Sequence, residues 1–301
     1  MKEDVILGDL FGKGMALVVG LLALTVGVLS ACGSDDAPGK VLYVGGIPDQ
    51  ESASLVRRFD GVADYLSQEL GVRVEYRSSV DYVAVVNAFK QGDIDLAWFG
   101  GFTGVQARRL APGAQAIAQR PRDADFHSVF VVQAGLPARG LGDLKGLTFT
   151  FGSPNSTSGH LMPRNFLLQE GVAADDDFDG LPNFSSSHHT TWKLVESGAF
   201  QAGVLNEAVW AQAVEEGRVD LSKIRVLETT PAYFDYNWTL RPDVDRRFGE
   251  GFTDRVRDAF MSMGDGQREL LALFQTEGFI ETDNDNYKVI EEVAEMLGFL
   301  Q

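Results

Sequence analysis

The chain has 301 residues, 45% of them hydrophobic and 23% charged, which is a composition typical of a globular protein with one large or two modest domains. Its formal net charge of −17 argues against nucleic acid or an anionic membrane surface as a binding partner. Its one cysteine excludes an internal disulfide bond.

The first 31 residues have the pattern of a bacterial lipoprotein signal peptide. Lys13 precedes an almost purely apolar run over residues 15–29, which is too short for a comfortable transmembrane helix. The run leads into Leu-Ser-Ala before Cys32, the order found where a cysteine becomes the lipidated N-terminus. We therefore predict lipidation of Cys32, followed by a flexible tether over residues 32–40. A plain secretory signal with a chance cysteine is the alternative.

From residue 41 onward, short apolar runs alternate with segments of helical periodicity, which predicts an α/β fold with largely parallel sheets. The predicted strands are Val41–Gly45, Arg73–Ser78, Leu96–Phe99, Ser128–Gln133, Thr148–Phe151, Ala202–Leu205 and Ile224–Glu228. The predicted helices are Ser54–Glu69, Tyr82–Lys90, Thr103–Arg109, Leu161–Gln169, Thr190–Ser197, Glu207–Glu216, Phe252–Met263, Gln267–Gln275 and Tyr287–Leu297.

The length and the order of elements predict two α/β lobes, each on the order of 100 residues. We assign residues 41–131 and 232–301 to lobe 1 and residues 132–231 to lobe 2, so that the chain crosses between them twice. Ligands of open α/β sheets bind outside the carboxyl ends of strands, which predicts a binding cleft between the lobes.

The strongest candidate for anion binding is the segment Ser156-Thr157-Ser158, which follows a predicted strand and precedes a helix. The first amides of a helix lack intrahelical partners, and the helix dipole favours negative charge there. Three hydroxyls beside such amides form a cradle for a tetrahedral oxyanion, and Gly159 lets the backbone approach closely. An ordinary Ser/Thr N-cap in a loop is the alternative.

Three other strand-to-helix junctions carry donors. Tyr82 begins one helix, Gly101 lies at the glycine pair that opens another, and His188 precedes a third. A neutral histidine can donate one N–H to an oxyanion, whereas a metal site is disfavoured because the adjacent histidines lack helical i, i+4 spacing. For Tyr82 the alternative is a half-buried tyrosine at a helix start, and for His188 it is a surface or capping role.

Several segments together resemble a known family. They are IPDQES at 47–52, VDYVAVVNAFKQGDIDLAWFGG at 80–101 and LGDLKGLTFTFGSPNSTSGHLMP at 141–163. The combination is similar to the phosphonate/phosphite-type periplasmic substrate-binding proteins of ABC importers. The resemblance implies the type II periplasmic-binding-protein fold, with two lobes, two crossover segments and the ligand in the interlobe cleft.

The resemblance also implies site residues. The family's oxyanion contacts match Tyr82, Ser156, Thr157, Ser158 and His188. A family tyrosine matches Phe126, which lacks the phenol, and His127 is a candidate to replace it. We expect the aromatic cluster that contains Tyr236 to close over the ligand; packing at the hinge is the alternative. WFGGFTGVQARR and FDYNWTLRPD are similar to a subgroup linked to selenate transport, which implies a bare oxyanion.

These features predict a monomeric, lipid-anchored, extracytoplasmic solute-binding protein that needs no cofactor or metal. It is expected to capture a small oxyanion by lobe closure and to deliver it to the permease and ATPase subunits of an ABC importer. A sensor subunit for the same anion is one alternative. An extracytoplasmic phosphoester or sulfoester hydrolase using Ser156 and His188 is another, although the chain lacks a Gly-x-Ser-x-Gly nucleophile elbow.

Overall fold

The structure is a computed structural model and describes residues 40–300. The predicted signal peptide, the predicted lipidation site Cys32 and the predicted tether up to residue 39 lie outside these residues. Within residues 40–300, no helix has both the length and the apolar character needed to cross a membrane.

The described residues form two β-sheets with helices packed against them. The strands are β1 (Val41–Gly46), β2 (Arg73–Tyr76), β3 (Leu96–Phe99), β4 (Gln115–Gln119), β5 (Ser128–Gln133), β6 (Phe149–Phe151), β7 (Asn183–Phe184), β8 (Ala202–Asn206), β9 (Ile224–Thr229), β10 (Asn237–Leu240) and β11 (Ile280–Glu281). The helices are α1 (Ser52–Leu70), α2 (Tyr82–Gln91), α3 (Gly101–Leu110), α4 (Met162–Gln169), α5 (His188–Glu196), α6 (Glu207–Glu215), α7 (Val244–Phe248), α8 (Phe252–Met261), α9 (Arg268–Leu273) and α10 (Lys288–Met296).

Both sheets are mixed, so the prediction of largely parallel sheets was wrong. The first sheet has the order β11-β4-β10-β3-β1-β2, and the second has the order β7-β6-β8-β5-β9. The pairs of β1 with β2 and β3, and of β6 with β7 and β8, are parallel. Strands β5 and β10, which follow the two changes of sheet, form antiparallel pairs, β5 with β8 and β9 and β10 with β3 and β4. Strand β11 also pairs antiparallel with β4.

The first crossover lies earlier than the sequence indicated. Strand β5 belongs entirely to the second sheet, so the division expected after Val131 falls inside a strand. Just before β5, Phe126 forms an isolated antiparallel bridge with Tyr233 of the returning segment. An apolar run in the sequence indicates a strand but not the sheet that the strand joins. For this reason the predicted division between the lobes was placed too late in the chain.

Each face of the second sheet has its own core. Phe130 and Val132 of β5 pack into one apolar cluster, and Val129 and Val131 into another. This alternation follows from the two-residue period of a strand, and it shows that β5 is buried on both faces. The first sheet has one larger core, in which the ring of Trp98 packs against those of Trp238 and Tyr236.

Candidate functional site

The predicted anion-binding residues lie where a helix of the first sheet meets a turn of the second. After β6 the chain forms a π-helical turn, Thr157–Leu161, that continues into α4. The backbone N–H of Phe102, in the first turn of α3, donates to the Thr157 hydroxyl at 3.0 Å. The side chains of Ser156, Thr157 and Ser158 are buried, so their hydroxyls face protein rather than bulk solvent.

The turn has the geometry of a helix N-terminus with close backbone packing. Ser156 is its N-cap, and its hydroxyl accepts the N–H of Gly159 at 2.9 Å. A Cβ at Gly159 would lie 2.9 Å from Ser156 Oγ and 3.1 Å from His188 Cε1. Glycine at this position therefore lets the Ser156 hydroxyl and the His188 ring converge on the same turn.

Tyr82 adds a phenol to this group. It is the first residue of α2, which Asp81 caps by accepting the N–H of Ala84 at 2.7 Å. Its hydroxyl lies beside that of Ser156. Burial, reinforced by Asp49 and Asp235, raises the pKa of Tyr82 well above its usual value. The phenol therefore stays protonated at neutral pH and can donate a hydrogen bond.

His188 is a neutral donor. Its Nδ1 accepts the backbone N–H of Asn206 at 3.3 Å, so the proton of the neutral ring is on Nε2. Burial lowers the pKa of His188 to about 4, opposed by Asp49, and the ring is uncharged at neutral pH. Among residues 40–300, Nε2 has no hydrogen-bond partner, although it is buried.

The protonation state of His188 is open to a direct test by ¹⁵N NMR of the imidazole nitrogens. We expect the signals of the Nε2–H tautomer to persist below the ordinary pKa of histidine, about 6.5. Because the unfolded chain binds this proton more readily, stability should fall as pH drops from about 6.5 towards 4. Replacement of His188 by asparagine should reduce that loss. A charged His188 ring at neutral pH would contradict the assignment.

Tyr236 connects the two sheets through hydrogen bonds. Its hydroxyl donates to Asp49 Oδ2 at 2.8 Å and accepts from Asn206 Nδ2 at 3.2 Å. Asp49 follows β1 of the first sheet, whereas Asn206 ends β8 of the second. All three side chains are buried, and the Phe126 ring packs 5.6 Å from that of Tyr236. Tyr236 thus joins the ends of strands from the two sheets.

Two buried carboxylates of the site were not predicted. Asp49 Oδ1 and Asp235 Oδ2 have no hydrogen-bond partner within residues 40–300, although Arg58 Nη1 lies 3.9 Å from the former. Asp49 is the third residue after β1, in the region where ligand-binding side chains of α/β sheets occur. Asp235 lies in the returning crossover segment, for which sequence offers no comparable signal.

The remaining predicted residues lie at the crossovers and at the start of α3. The N–H of Gly101 donates to Asp235 Oδ1 at 2.9 Å. His127 is only half-buried, and its Nδ1 lies 2.7 Å from the carbonyl oxygen of Thr230, which ties the ring to the crossover backbone. Near Phe126, Tyr233 supplies a phenol, whose oxygen lies 2.5 Å from Ser128 Oγ.

The site offers hydroxyl, phenol, imidazole and amide donors, which is a set suited to an oxyanion. Within the part of the chain that the structure describes, no group of three His, Cys, Asp or Glu side chains is arranged to hold a metal ion. The donors of the candidate site are thus uncharged groups, and the buried carboxylates of Asp49 and Asp235 lie among them.

Comparison with known families supports the same conclusion. The model of the phosphonate periplasmic substrate-binding proteins of ABC transporters matches residues 44–287. The chain belongs to this family. Like other members, it is a substrate-binding protein of an ABC transporter and not an enzyme.

Individual relatives agree with this membership. The probable phosphite-binding protein of an ABC transporter from Prochlorococcus marinus is 42% identical over 267 residues, which cover 86% of this chain and 90% of the relative. A structure of that organism's protein in complex with methylphosphonate has a TM-score of 0.83 and covers 87% of this chain and 99% of its own. A binding component of a phosphonate transporter from Pseudomonas aeruginosa, 22% identical, has a TM-score of 0.72 and covers 85% of each chain. The expected type II periplasmic-binding-protein fold is thereby confirmed.

Proposed function

We propose that this protein captures a small phosphorus oxyanion, phosphite or methylphosphonate, and delivers it to the permease and ATPase subunits of an ABC importer. Support comes from a relative that is named as a probable phosphite-binding protein and from a similar structure that contains bound methylphosphonate. In this proposal the two sheets are the cores of two lobes that close on the anion, and the crossovers at Phe126 and Tyr233 act as the hinge.

One observation carries the proposal. The buried Nε2–H of His188 has no partner among the described residues, and the His188 ring lies against the turn that Ser156 caps. A buried donor without an acceptor costs about 1–3 kcal/mol, and an anion oxygen in the cleft would remove that cost. The hydroxyls of Thr157 and Ser158 and the phenol of Tyr82 then supply the remaining donors.

Selenate is the alternative ligand that the subgroup resemblance implied. Both candidates are tetrahedral oxyanions, and the donors described above would fit either. The buried carboxylates of Asp49 and Asp235 favour the phosphorus anions, because these retain an ionisable proton near neutral pH and selenate does not. A sensor that binds the same anion remains the alternative role, and neighbouring genes for an ATPase and a permease would favour import.

The cellular setting is part of the proposal. The apolar run over residues 15–29 and the residues before Cys32 support export and lipid anchoring on the outer face of a membrane. We propose that the protein acts there as a monomer, with residues 32–40 as the tether.

The ligand is tested by thermal shift and calorimetry of the chain from residue 33 onward. The panel contains phosphite, methylphosphonate, 2-aminoethylphosphonate, phosphate, sulfate and selenate. Binding of phosphite or methylphosphonate ahead of the others supports the proposal. Preferential binding of selenate would replace it with the alternative ligand, and failure to bind any of the six would refute the oxyanion assignment.

Replacement of Ser156 by alanine tests the cradle. We expect ligand affinity to fall by about 1–3 kcal/mol, because a charged hydrogen bond and the N-cap of the turn are both lost. Calorimetry measures the change. Ser197→Ala, which removes an exposed hydroxyl at the end of α5, is the matched control and should bind normally. Unchanged affinity in Ser156→Ala would remove this hydroxyl from the site.

A further inference from the structure

The Asp235 carboxyl lies among the groups expected to hold the anion. Its Oδ1 accepts the N–H of Gly101 at 2.9 Å, at the N-terminus of α3. A Cβ built on Gly100 would lie 3.0 Å from Thr157 Oγ1 and 3.1 Å from Asp235 Oδ1. The carboxyl therefore lies close to the predicted cradle, and an anion bound there would be its neighbour.

The second oxygen of this carboxyl is available. Asp235 is 1% exposed, and its Oδ2 has no hydrogen-bond partner among residues 40–300. The hydroxyls of Thr157 and Ser158 lie near enough to lower its pKa, but neither completes a hydrogen bond with Oδ2. Because an unpaired buried carboxylate oxygen is costly, this atom is expected to receive a proton or a donor when the site is occupied.

The surroundings of Asp235 favour retention of a proton. Burial raises the pKa of Asp235 to about 7, although the hydrogen bond from Gly101 opposes the shift. The Asp49 carboxylate accepts a hydrogen bond from the Tyr236 hydroxyl. The titratable groups that act on Asp235 from the neighbouring elements are the carboxylate of Asp123, which is paired with Arg120, and the phenols of Tyr82, Tyr233, Tyr236 and Tyr287.

We propose that Asp235 determines specificity by binding the anion together with one proton, held between its free oxygen and a ligand oxygen. A proton shared in this way is held more strongly by a more basic anion. The cleft would then prefer phosphite and phosphonates, whose last proton ionises near neutral pH, over sulfate and selenate, which are fully ionised there and weakly basic. This inference rests on the proposed function and specifies the ligand chemistry of the same site.

The proton can reach the complex in two equivalent ways. A protonated Asp235 donates its O–H to a dianion, or an ionised Asp235 accepts the O–H of a monoanion. Both routes give a complex with one shared proton and the same net charge. Above the pKa values of both groups, the proton must come from solvent, so affinity should fall by up to about tenfold per pH unit.

Calorimetry of phosphite and methylphosphonate at about pH 8.5, in two buffers that differ in ionisation enthalpy, counts the protons taken up. We expect about one proton per anion for the natural sequence. In Asp235→Asn the amide oxygen can still accept from Gly101, while the NH₂ group donates in place of Oδ2. This variant should take up almost no proton, lose the pH dependence and bind sulfate and selenate at least about tenfold more tightly.

Two controls keep the result interpretable. Asp64→Asn makes the same charge change on the exposed face of α1 and should retain the proton uptake. The melting temperature of unliganded Asp235→Asn above pH 7 should equal or exceed that of the natural sequence, because a buried carboxylate no longer has to ionise.

The possible outcomes separate the two ideas. If neither phosphorus anion binds, the proposed function itself fails. If they bind without proton uptake, or if Asp235→Asn still takes up the proton, the proposed function stands and the role given to Asp235 is overturned.

Discussion

Replacement of Asp123 by asparagine is expected to lower the free energy of unfolding by about 3–5 kcal/mol. Arg120 donates to Asp123 from Nε at 2.7 Å and from Nη2 at 2.6 Å, and both side chains are buried. An amide keeps the shape but not the charge, so the variant leaves the guanidinium without a counter-charge in the interior. Removal of one partner from such a pair is far more costly than the pair is stabilising.

Urea unfolding followed by circular dichroism measures this loss. Asp125→Asn is the matched control, because Asp125 is two residues away and exposed, and its variant should unfold normally. The double variant Arg120→Met, Asp123→Leu removes both charges and should recover much of the loss. If Asp123→Asn is as stable as the control, the charge of Arg120 must be compensated by a group other than Asp123.

The same pair supports the candidate site. The carbonyl oxygen of Asp123 accepts the backbone N–H of Asp235 at 3.0 Å, and the Arg120 guanidinium lies 5.0 Å from the centre of the Tyr236 ring. The turn that contains Arg120 and Asp123 thus holds the returning crossover segment in place. Weaker ligand binding in Asp123→Asn would follow from displacement of that segment.

Replacement of Gly159 by alanine is expected to weaken ligand binding by roughly 100-fold, equivalent to the loss of one or two charged hydrogen bonds. The new methyl group would lie 2.9 Å from Ser156 Oγ, 3.1 Å from His188 Cε1 and 3.2 Å from Gly152 Cα. The Cα of Gly152 cannot move without the backbone, so the Ser156 hydroxyl and the His188 ring must move apart. Overpacking of this kind should also cost about 1–3 kcal/mol of stability.

Gly142→Ala provides the control for this prediction. A Cβ at Gly142 meets no atom within 4 Å. The residue lies in a short helical turn before β6, outside the turn that Ser156 caps. Calorimetry and thermal unfolding of both variants separate the loss of binding from the loss of stability. Normal affinity in a folded Gly159→Ala protein would show that the turn does not hold the anion.

Helices and strongly apolar strands could be recognised from local pattern alone. Helix α2 begins at the predicted Tyr82, and β3 and β5 have the predicted bounds. Strands β4 and β10 were missed, since QAIAQ and NWTL contain few β-branched residues. Both strands are buried in the first sheet, where pairing with neighbours outweighs their weak intrinsic preference.

The candidate site likewise contains residues that have a local sequence signal and residues that have none. Ser156, Tyr82 and His188 were predicted as site residues because each lies at a helix start, where a local sequence signature exists. Asp235 and Asn206 were not, because their roles depend on contacts made across the two crossovers with Gly101 and Tyr236.

The sequence by itself determined the α/β class, the positions of most helices, and the hydroxyl-rich turn at residues 156–158, because periodicity and helix capping act within a few residues of the chain. Only the tertiary structure decided which sheet β5 joins, how the strands alternate in direction, and which carboxylates lie among the candidate site residues. Those features depend on pairs of residues up to 187 positions apart, such as Asp49 and Tyr236. No local sequence pattern encodes such a pair, because its hydrogen bond stabilises the protein only after both sheets have formed and packed together.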